Sequence, residues 1–243
     1  MPRFIYNANA VGVAGRITRP ISHEIEPQGA CILPSSGGIV ESRTGPFILT
    51  DPVSGNLIFS YGSAETSIQG SESSNGIHTT VVVSTVREIN VGNVLKADEI
   101  TAKLALCYQV AGDRVTIDTE GSRFVNLTIG GQPFAVDVDH AMAREASDYE
   151  KFKKKHSELH EKFGKITWVL GRNKDLNPDE DGEPHRRQPN LGRIYFAEWQ
   201  TGPGTQRLSM MRLQLGSPQA GDDTPPEGDI TFGDTGGNGQ MYP

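Results

Sequence analysis

Apolar and polar residues alternate along most of the chain, in short segments separated by turns that contain glycine or proline. This period of two is typical of β-strands with one buried face. The clearest segment is residues 84–93, which residues 122–131 repeat with an offset of 38. Both copies are predicted to be a strand that ends at a glycine corner. Residues 210–216 repeat part of this strand-and-glycine pattern more weakly, and we expect the last core strand there.

Two further segments add to this pattern. Residues 62–74 are small and polar, but Asn75 and Gly76 form a strong hairpin signal before a β-branched run, so we predict an exposed strand there. In residues 139–164 the apolar residues recur at steps of three and four. This period predicts one amphipathic helix with Asp139 as its N-cap and Gly164 after its end. The apolar face of that helix comprises Met142, Ala146, Tyr149, Phe152, His156, Leu159 and Phe163.

These elements predict a mainly β fold, an antiparallel sandwich-like domain with one helix at about 139–164. A β-solenoid is the alternative, because glycine corners also suit stacked rungs, although the repeat spacing is too long for it. We expect a single β domain over residues 1–216 that contains the helix. Residues 217–243 hold five acidic residues and no Lys or Arg, with many Gly and Pro, and are predicted to be a flexible tail.

Composition narrows the possible partners and compartments. Only seven net negative charges are present, and outside the tail the 23 basic residues are nearly balanced, so no basic surface for nucleic acid is expected. No apolar run is long enough to span a membrane, and the first residues lack the apolar core of a secretory signal. Cys31 and Cys107 permit one disulfide, with two buried thiols as the alternative.

Candidate chemistry is sparse. Asn177, Asp179 and Asp181 place oxygen ligands at alternate positions before Gly182, as calcium loops do, so they are a candidate calcium site, and no other cofactor is expected. A polar hairpin tip is the alternative. His156 and His160 have the spacing of a ligand pair on a helix, but two residues do not complete a zinc site. No nucleophile, phosphate-binding or acid/base motif is present, so we predict no catalytic residues and no enzyme.

Residues 79–103 and 122–133 carry a family resemblance. They contain a strand, the Gly92-Asn93 corner, an Ala97-Asp98 step and a later hairpin with Leu127, Ile129, Gly131 and Pro133. In these features the chain resembles the choice-of-anchor P family of exported bacterial proteins. The resemblance implies an extracellular or cell-surface protein without known catalytic residues, whereas the missing signal leaves a cytoplasmic location as the alternative.

Two classes of function follow. The first is a non-catalytic structural or surface-interaction protein that associates with itself or with a surface polymer or protein. The second is a ligand-binding module for calcium or carbohydrate, suggested by Asn177, Asp179 and Asp181 and by a strand with Tyr195 and Trp199 that we expect to be exposed.

Overall fold

A computed structural model of the chain describes residues 3–110, 114–157, 159, 161–162, 165–178, 183–189, 191–202, 205–216 and 227–242. The strands are β1 Arg3–Ile17, β2 His23–Gln28, β3 Cys31–Ile32, β4 Gly38–Thr44, β5 Phe47–Thr50, β6 Leu57–Tyr61, β7 Ser63–Glu72, β8 Ile77–Val91, β9 Leu95–Gln109, β10 Arg114–Asp118, β11 Arg123–Val125, β12 Thr128–Ile129, β13 Gln132–Pro133, β14 Asp137–Val138, β15 Glu161–Lys162, β16 Lys165–Val169, β17 Gly171–Arg172, β18 Asn177–Pro178, β19 Pro184–Gln188, β20 Gly192–Gly202, β21 Thr205–Leu215 and β22 Gly228–Tyr242. The helices are α1 His140–Glu145 and α2 Tyr149–Lys155.

Most strands belong to two antiparallel sheets. The first sheet has the order β15-β16-β20-β21-β22-β1-β2, with β3 beside β1 and the β18-β19 hairpin beside β20. The second sheet has the order β13-β12-β9-β8-β6-β5, with β10 and β11 beside β9, and with β7 and then β4 beside β8. Strands β14 and β17 form a small separate pair. Antiparallel sheets exclude the stacked rungs of a β-solenoid and confirm the predicted mainly β, sandwich-like fold.

The core lies between the two sheets. Strands β1, β21 and β22 of the first sheet face β7, β8 and β9 of the second. Phe232 of β22 meets Phe59 of β6 edge to face, with 6.1 Å between the ring centroids. Both rings are fully buried. Alternate residues of each strand enter this layer, which is why the period of two in the sequence predicts the fold.

The second sheet is mainly an antiparallel meander. Residues 38–50 form its outer edge through β4 and β5, which pair with β7 and β6 respectively. Strands β6 and β7 then pair with β8, and β8 pairs with β9 along its whole length. The turn between β7 and β8 contains Asn75 and Gly76, with φ of +69° at Gly76. The predicted hairpin and its polar strand are therefore confirmed.

The repeated segments flank the same strand. Thr101 of β9 pairs with Thr85 on one side and with Arg123 on the other, and the register of the two partners differs by the predicted 38 residues throughout. The backbone repeats as well: φ is +56° at Glu88 and +51° at Asn126, and +56° at Gly92 and +58° at Gly130. The repeat is thus two equivalent neighbours of β9, each with a bulge and a glycine corner.

The single predicted helix is wrong in one respect, because the structure has two short helices in its place. Asp139 is the N-cap of α1, as expected, and its side chain accepts a hydrogen bond from the backbone of Met142. The chain then leaves the helix, and Asp148 caps α2 in the same way. Local hydrogen bonding by Ser and Asp side chains competes with a continuous helix. The predicted end at Gly164 lies outside the described residues.

The predicted flexible tail is also wrong for residues 228–242. They form β22, which lies between β21 and β1 in the interior of the first sheet. Ile230 and Phe232 are buried, and two of the acidic residues are held by arginines, since Asp229 faces Arg212 and Asp234 binds Arg207. Local composition resembled disorder because the partners of β22, especially β1, are far away in sequence. Residues 217–226 and 243 lie outside the described residues.

Candidate functional site

A chain of alternating charges crosses the outer face of the second sheet. Its members come one each from β4, β7, β8, β9 and β11, and they are Arg43, Glu65, Arg87, Glu99 and Arg123. Successive nitrogen to oxygen distances are 3.1, 2.7, 3.2 and 2.5 Å. Each internal member has an opposite charge on both sides. We name this feature the ionic chain, and its geometry suits the fixing of strand register better than proton transfer.

Glu99 is the most enclosed member of the ionic chain. Burial by itself would raise the pKa of its carboxyl group, but the hydrogen bonds from Thr101 and Arg123 and the charges of Arg123 and Arg87 outweigh burial. The pKa of Glu99 is therefore below its ordinary value. Thr101 also lies 3.3 Å from Thr85 of the neighbouring strand, between the two hydroxyl oxygens. The carboxylate of Glu99 is thus held in its charged form at neutral pH.

The outer edge of the meander is exposed. Within the described residues, β4 pairs only with β7 and β5 pairs only with β6, so one side of each strand has no partner strand. Ile39 of β4 and Ile48 of β5 are 68% and 69% exposed. Ile32 of the neighbouring β3 is also exposed. An unpaired edge that carries exposed aliphatic side chains is a template for pairing with another strand.

The charges on this edge have a symmetric order. Glu41 and Arg43 flank Ser42, and both are exposed on the outer face of β4. Arg43 is the end of the ionic chain at this edge, with its side chain 75% exposed and Glu65 on its inner side. Neither residue belongs to a motif that the sequence shows. The Asn75-Gly76 turn predicts the register of β7 against β8 and so brings Glu65 near Arg87, but it does not place β4 beside β7.

Only one of the three predicted calcium ligands, Asn177, belongs to the residues that the structure describes. Asn177 is in β18 and pairs with His185 of β19, as a polar hairpin would. Asp179 and Asp181 lie outside the described residues. Among the residues that are described, no group of three or more His, Cys, Asp or Glu side chains could hold a metal ion. The calcium site stays a prediction.

His156 and the two cysteines are accounted for by contacts within the fold. His156 lies with its Nε2 atom 3.1 Å from a carboxylate oxygen of Glu145, whereas His160 is outside the described residues. The two cysteines are free thiols in different sheets. The Sγ atom of Cys31 is 3.1 Å from the hydroxyl of Thr66, and burial raises the pKa of the Cys31 thiol.

The expected exposure of Tyr195 and Trp199 is wrong. Both are buried. The guanidinium carbon of Arg212 lies 4.0 Å from the ring centroid of Tyr195, and Phe152 of α2 packs edge to face against Trp199. Neither ring is open for stacking on a sugar. This removes the observation on which the carbohydrate alternative depended.

The part of the chain that the structure describes has no helix of sufficient length and apolar character to cross a membrane.

A family model described as "Domain of unknown function (DUF8256)" matches residues 4–183. The chain belongs to this family. No curated protein and no solved structure matches it. The DUF8256 match includes the whole second sheet, with the ionic chain and its exposed edge, and it also includes β1. It ends before β20, β21 and β22, so three adjacent strands of the first sheet lie beyond the matched residues.

Proposed function

We propose that this DUF8256 protein is a non-catalytic structural protein that associates with a second copy of itself through the edge formed by β4 and β5. The observation that carries this proposal is that, among the described residues, no strand pairs with the outer side of β4 and β5, where Ile39 and Ile48 are exposed. An edge with exposed aliphatic side chains can pair with a strand of another chain. The register of β5 shifts between Leu49 and Thr50, whereas β4 is regular, so β4 is the part of this edge that can add a strand.

The order of charges on β4 favours a second copy as the partner. If two β4 strands pair in antiparallel orientation about a two-fold axis at Ser42, Glu41 of each copy lies opposite Arg43 of the other. Directly opposite residues of an antiparallel pair share one face of the sheet, so these opposite charges meet on the outer face. A two-fold contact must be complementary to itself. The Glu-Ser-Arg order satisfies that requirement.

This contact would also join the ionic chains of the two copies. Arg43 uses Glu65 on its inner side and leaves most of its side chain exposed. Glu41 of the second copy would become its outer partner. Two meanders would then form one continuous sheet, in which the alternating charges run from Arg123 of one copy to Arg123 of the other. The resemblance to exported proteins supports placing such an assembly at a cell surface, which cell fractionation tests.

The test is a charge exchange across the proposed axis. Glu41→Arg places two positive residues opposite each other in the homodimer, and Arg43→Glu places two negative residues there. Each variant alone is expected to be monomeric by light scattering at concentrations at which the unchanged chain is dimeric. An equimolar mixture restores both opposite pairs, and we expect it to form a dimer.

Arg123→Glu is the matched control, because it reverses the charge at the other end of the same ionic chain, beside Glu99 instead of Glu65. It is expected to remain dimeric. A monomeric unchanged chain at high concentration would refute the proposal. So would a mixture of the two variants that stays monomeric, or an Arg123→Glu variant that loses the dimer as well. Binding of a surface polymer by the monomer would point to the other partner class instead.

A further inference from the structure

A cavity of about 90 Å³ lies between the two sheets, beside the connection from α1 to α2. Its walls come from β1, β8, β9, β10, β20, β21, β22, the start of α2 and that connection. Three strands separate β10 from β4 in the second sheet, so the cavity is distinct from the proposed dimer edge. We propose that it binds a small uncharged molecule that has an apolar body and one hydrogen-bond donor, a short alcohol.

Gln206 of β21 provides the hydrogen-bond requirement. Gln206 is one of the residues that line the cavity, and it is only 5% exposed. The Oε1 atom is buried and has no hydrogen-bond partner. A buried acceptor without a partner costs about 1–3 kcal/mol, so a bound hydroxyl group that donates to Oε1 would be favoured. The requirement is for a donor, because the unsatisfied atom can only accept.

The other residues that line the cavity determine that the ligand is uncharged and mainly apolar. Among the described residues that line the cavity there is no Asp, Glu, Lys or Arg, and aromatic and aliphatic residues such as Phe4, Leu106 and Ile117 form much of the wall. His78 also lines the cavity, but its Nδ1 atom is 3.1 Å from the hydroxyl of Tyr6 and its ring stacks on Phe4 at 4.1 Å. Without a countercharge in the wall, a charged ligand would lose its hydration without compensation.

The lack of a side chain at Gly237 of β22 contributes to the space in the cavity. Gly237 pairs with Gln206 on one side and with Ala8 on the other. A Cβ atom at position 237 would lie 3.1 Å from Cδ1 of Leu106, so even alanine is a tight fit there. Glycine inside a strand weakens the strand and often marks a site where another group approaches closely. The volume corresponds to about three water molecules, or to a body of four or five non-hydrogen atoms.

The connection between the helices forms part of the cavity wall. Ser147 of this connection and Tyr149 at the start of α2 line the cavity. The hydroxyl of Ser147 accepts a hydrogen bond of 3.0 Å from the backbone nitrogen of Ile117 in β10. This bond fixes the interruption between α1 and α2 against the second sheet. The departure from a single continuous helix therefore coincides with one wall of the cavity.

The test compares 2-butanol with butanone, which have the same carbon skeleton but differ in the presence of a donor. Titrations of the full chain are followed by the amide NMR signals of Gly237 and of the Gln206 side chain. We expect saturable shifts with 2-butanol and at least tenfold weaker binding of butanone. Gln206→Leu is expected to weaken 2-butanol at least tenfold and to abolish the preference. Gly237→Ala is expected to exclude both molecules.

Equal affinity for the two molecules would overturn the proposal. So would unchanged 2-butanol binding in Gln206→Leu. Shifts that never saturate would mean that the cavity holds only water, and this would overturn it as well. If Gly237→Ala does not fold, the comparison between the unchanged chain and Gln206→Leu decides the outcome. Loss of dimer formation by the edge variants leaves these results unaffected, so the two proposals fail separately.

Discussion

Phe232 lies in β22, in the segment whose composition resembles a disordered tail. Its side chain is fully buried and meets Phe59 of the opposite sheet. Strand β22 has hydrogen-bonded neighbours on both sides, β21 and β1. We therefore predict that Phe232→Ala strongly destabilises the fold. If the segment were a flexible tail, the same substitution would have almost no effect.

The magnitude follows from the burial of the ring. Truncation of a buried phenylalanine to alanine removes the transfer free energy of the ring and leaves a cavity, at a cost of about 3–5 kcal/mol. Domains are stable by about 5–15 kcal/mol, so a single substitution would remove a large share. The pairing of β22 with both neighbours limits how far the strand can shift to fill the space. We expect a value in the upper half of that range.

Denaturant unfolding, followed by circular dichroism and by tryptophan fluorescence, measures the change. Val53→Ala is the control, because Val53 is almost completely exposed, and it should change the free energy of unfolding by less than about 0.5 kcal/mol. A chain that ends at Gly216 should lose its near-ultraviolet signal and its cooperative transition. A loss below about 1 kcal/mol for Phe232→Ala, which is a typical exposed-site effect, would refute the reasoning, as would a shortened chain that unfolds cooperatively.

Three further predictions concern other parts of the chain. Because the pKa of Glu99 is lowered in the folded state, its contribution to stability is present above its unfolded pKa of about 4.3 and is lost as the pH falls through the folded pKa. Glu99→Gln should thus lower the free energy of unfolding by about 1 kcal/mol at pH 7, and the variant should lose less stability than the unchanged chain as the pH falls. Parallel plots of unfolding free energy against pH for the two chains would contradict this. Gly92→Ala should cost about 1–2 kcal/mol, because φ is +56° and nothing else obstructs a Cβ atom, whereas Gly45→Ala, with no positive φ, should be neutral in the same unfolding assay. A thiol reagent should modify the half-buried Cys107 before the buried Cys31, and both thiols should react in denaturant without a reductant. Thiols that react only after a reductant is added would indicate a disulfide and contradict this prediction.

The strand pattern and turns of the second sheet could be predicted from sequence because their partners are close in the chain. Residues 62–74 could be placed beside β8 because the Asn75-Gly76 turn allows few registers. The spacing of 38 between the repeated segments predicted equivalent corners, and Gly92 and Gly130 have nearly equal φ. The Glu65 and Arg87 pair of the ionic chain was within reach of the same argument, since Glu65 is diagonal to Arg87 once the turn is set.

Distant pairing explains the errors. Strand β22 pairs with β1, more than 200 residues away, and no local signal shows that Arg207 and Arg212 hold the acidic residues of this segment. The apolar period at residues 139–164 is real, since Met142, Phe152 and Leu159 are buried. The break between α1 and α2 depends on a bond from Ser147 to β10, which the period does not contain.

The amino-acid sequence by itself determined that the protein is mainly β, where its local hairpins turn and how its repeated corners are spaced, because these depend on side-chain alternation and on backbone conformations that few residues adopt. Only the tertiary structure decided that the C-terminal segment is a central strand, that Tyr195 and Trp199 are buried and that Gln206 lines a cavity. These features arise where segments from opposite ends of the chain meet, and burial there depends on neighbours that no local pattern encodes.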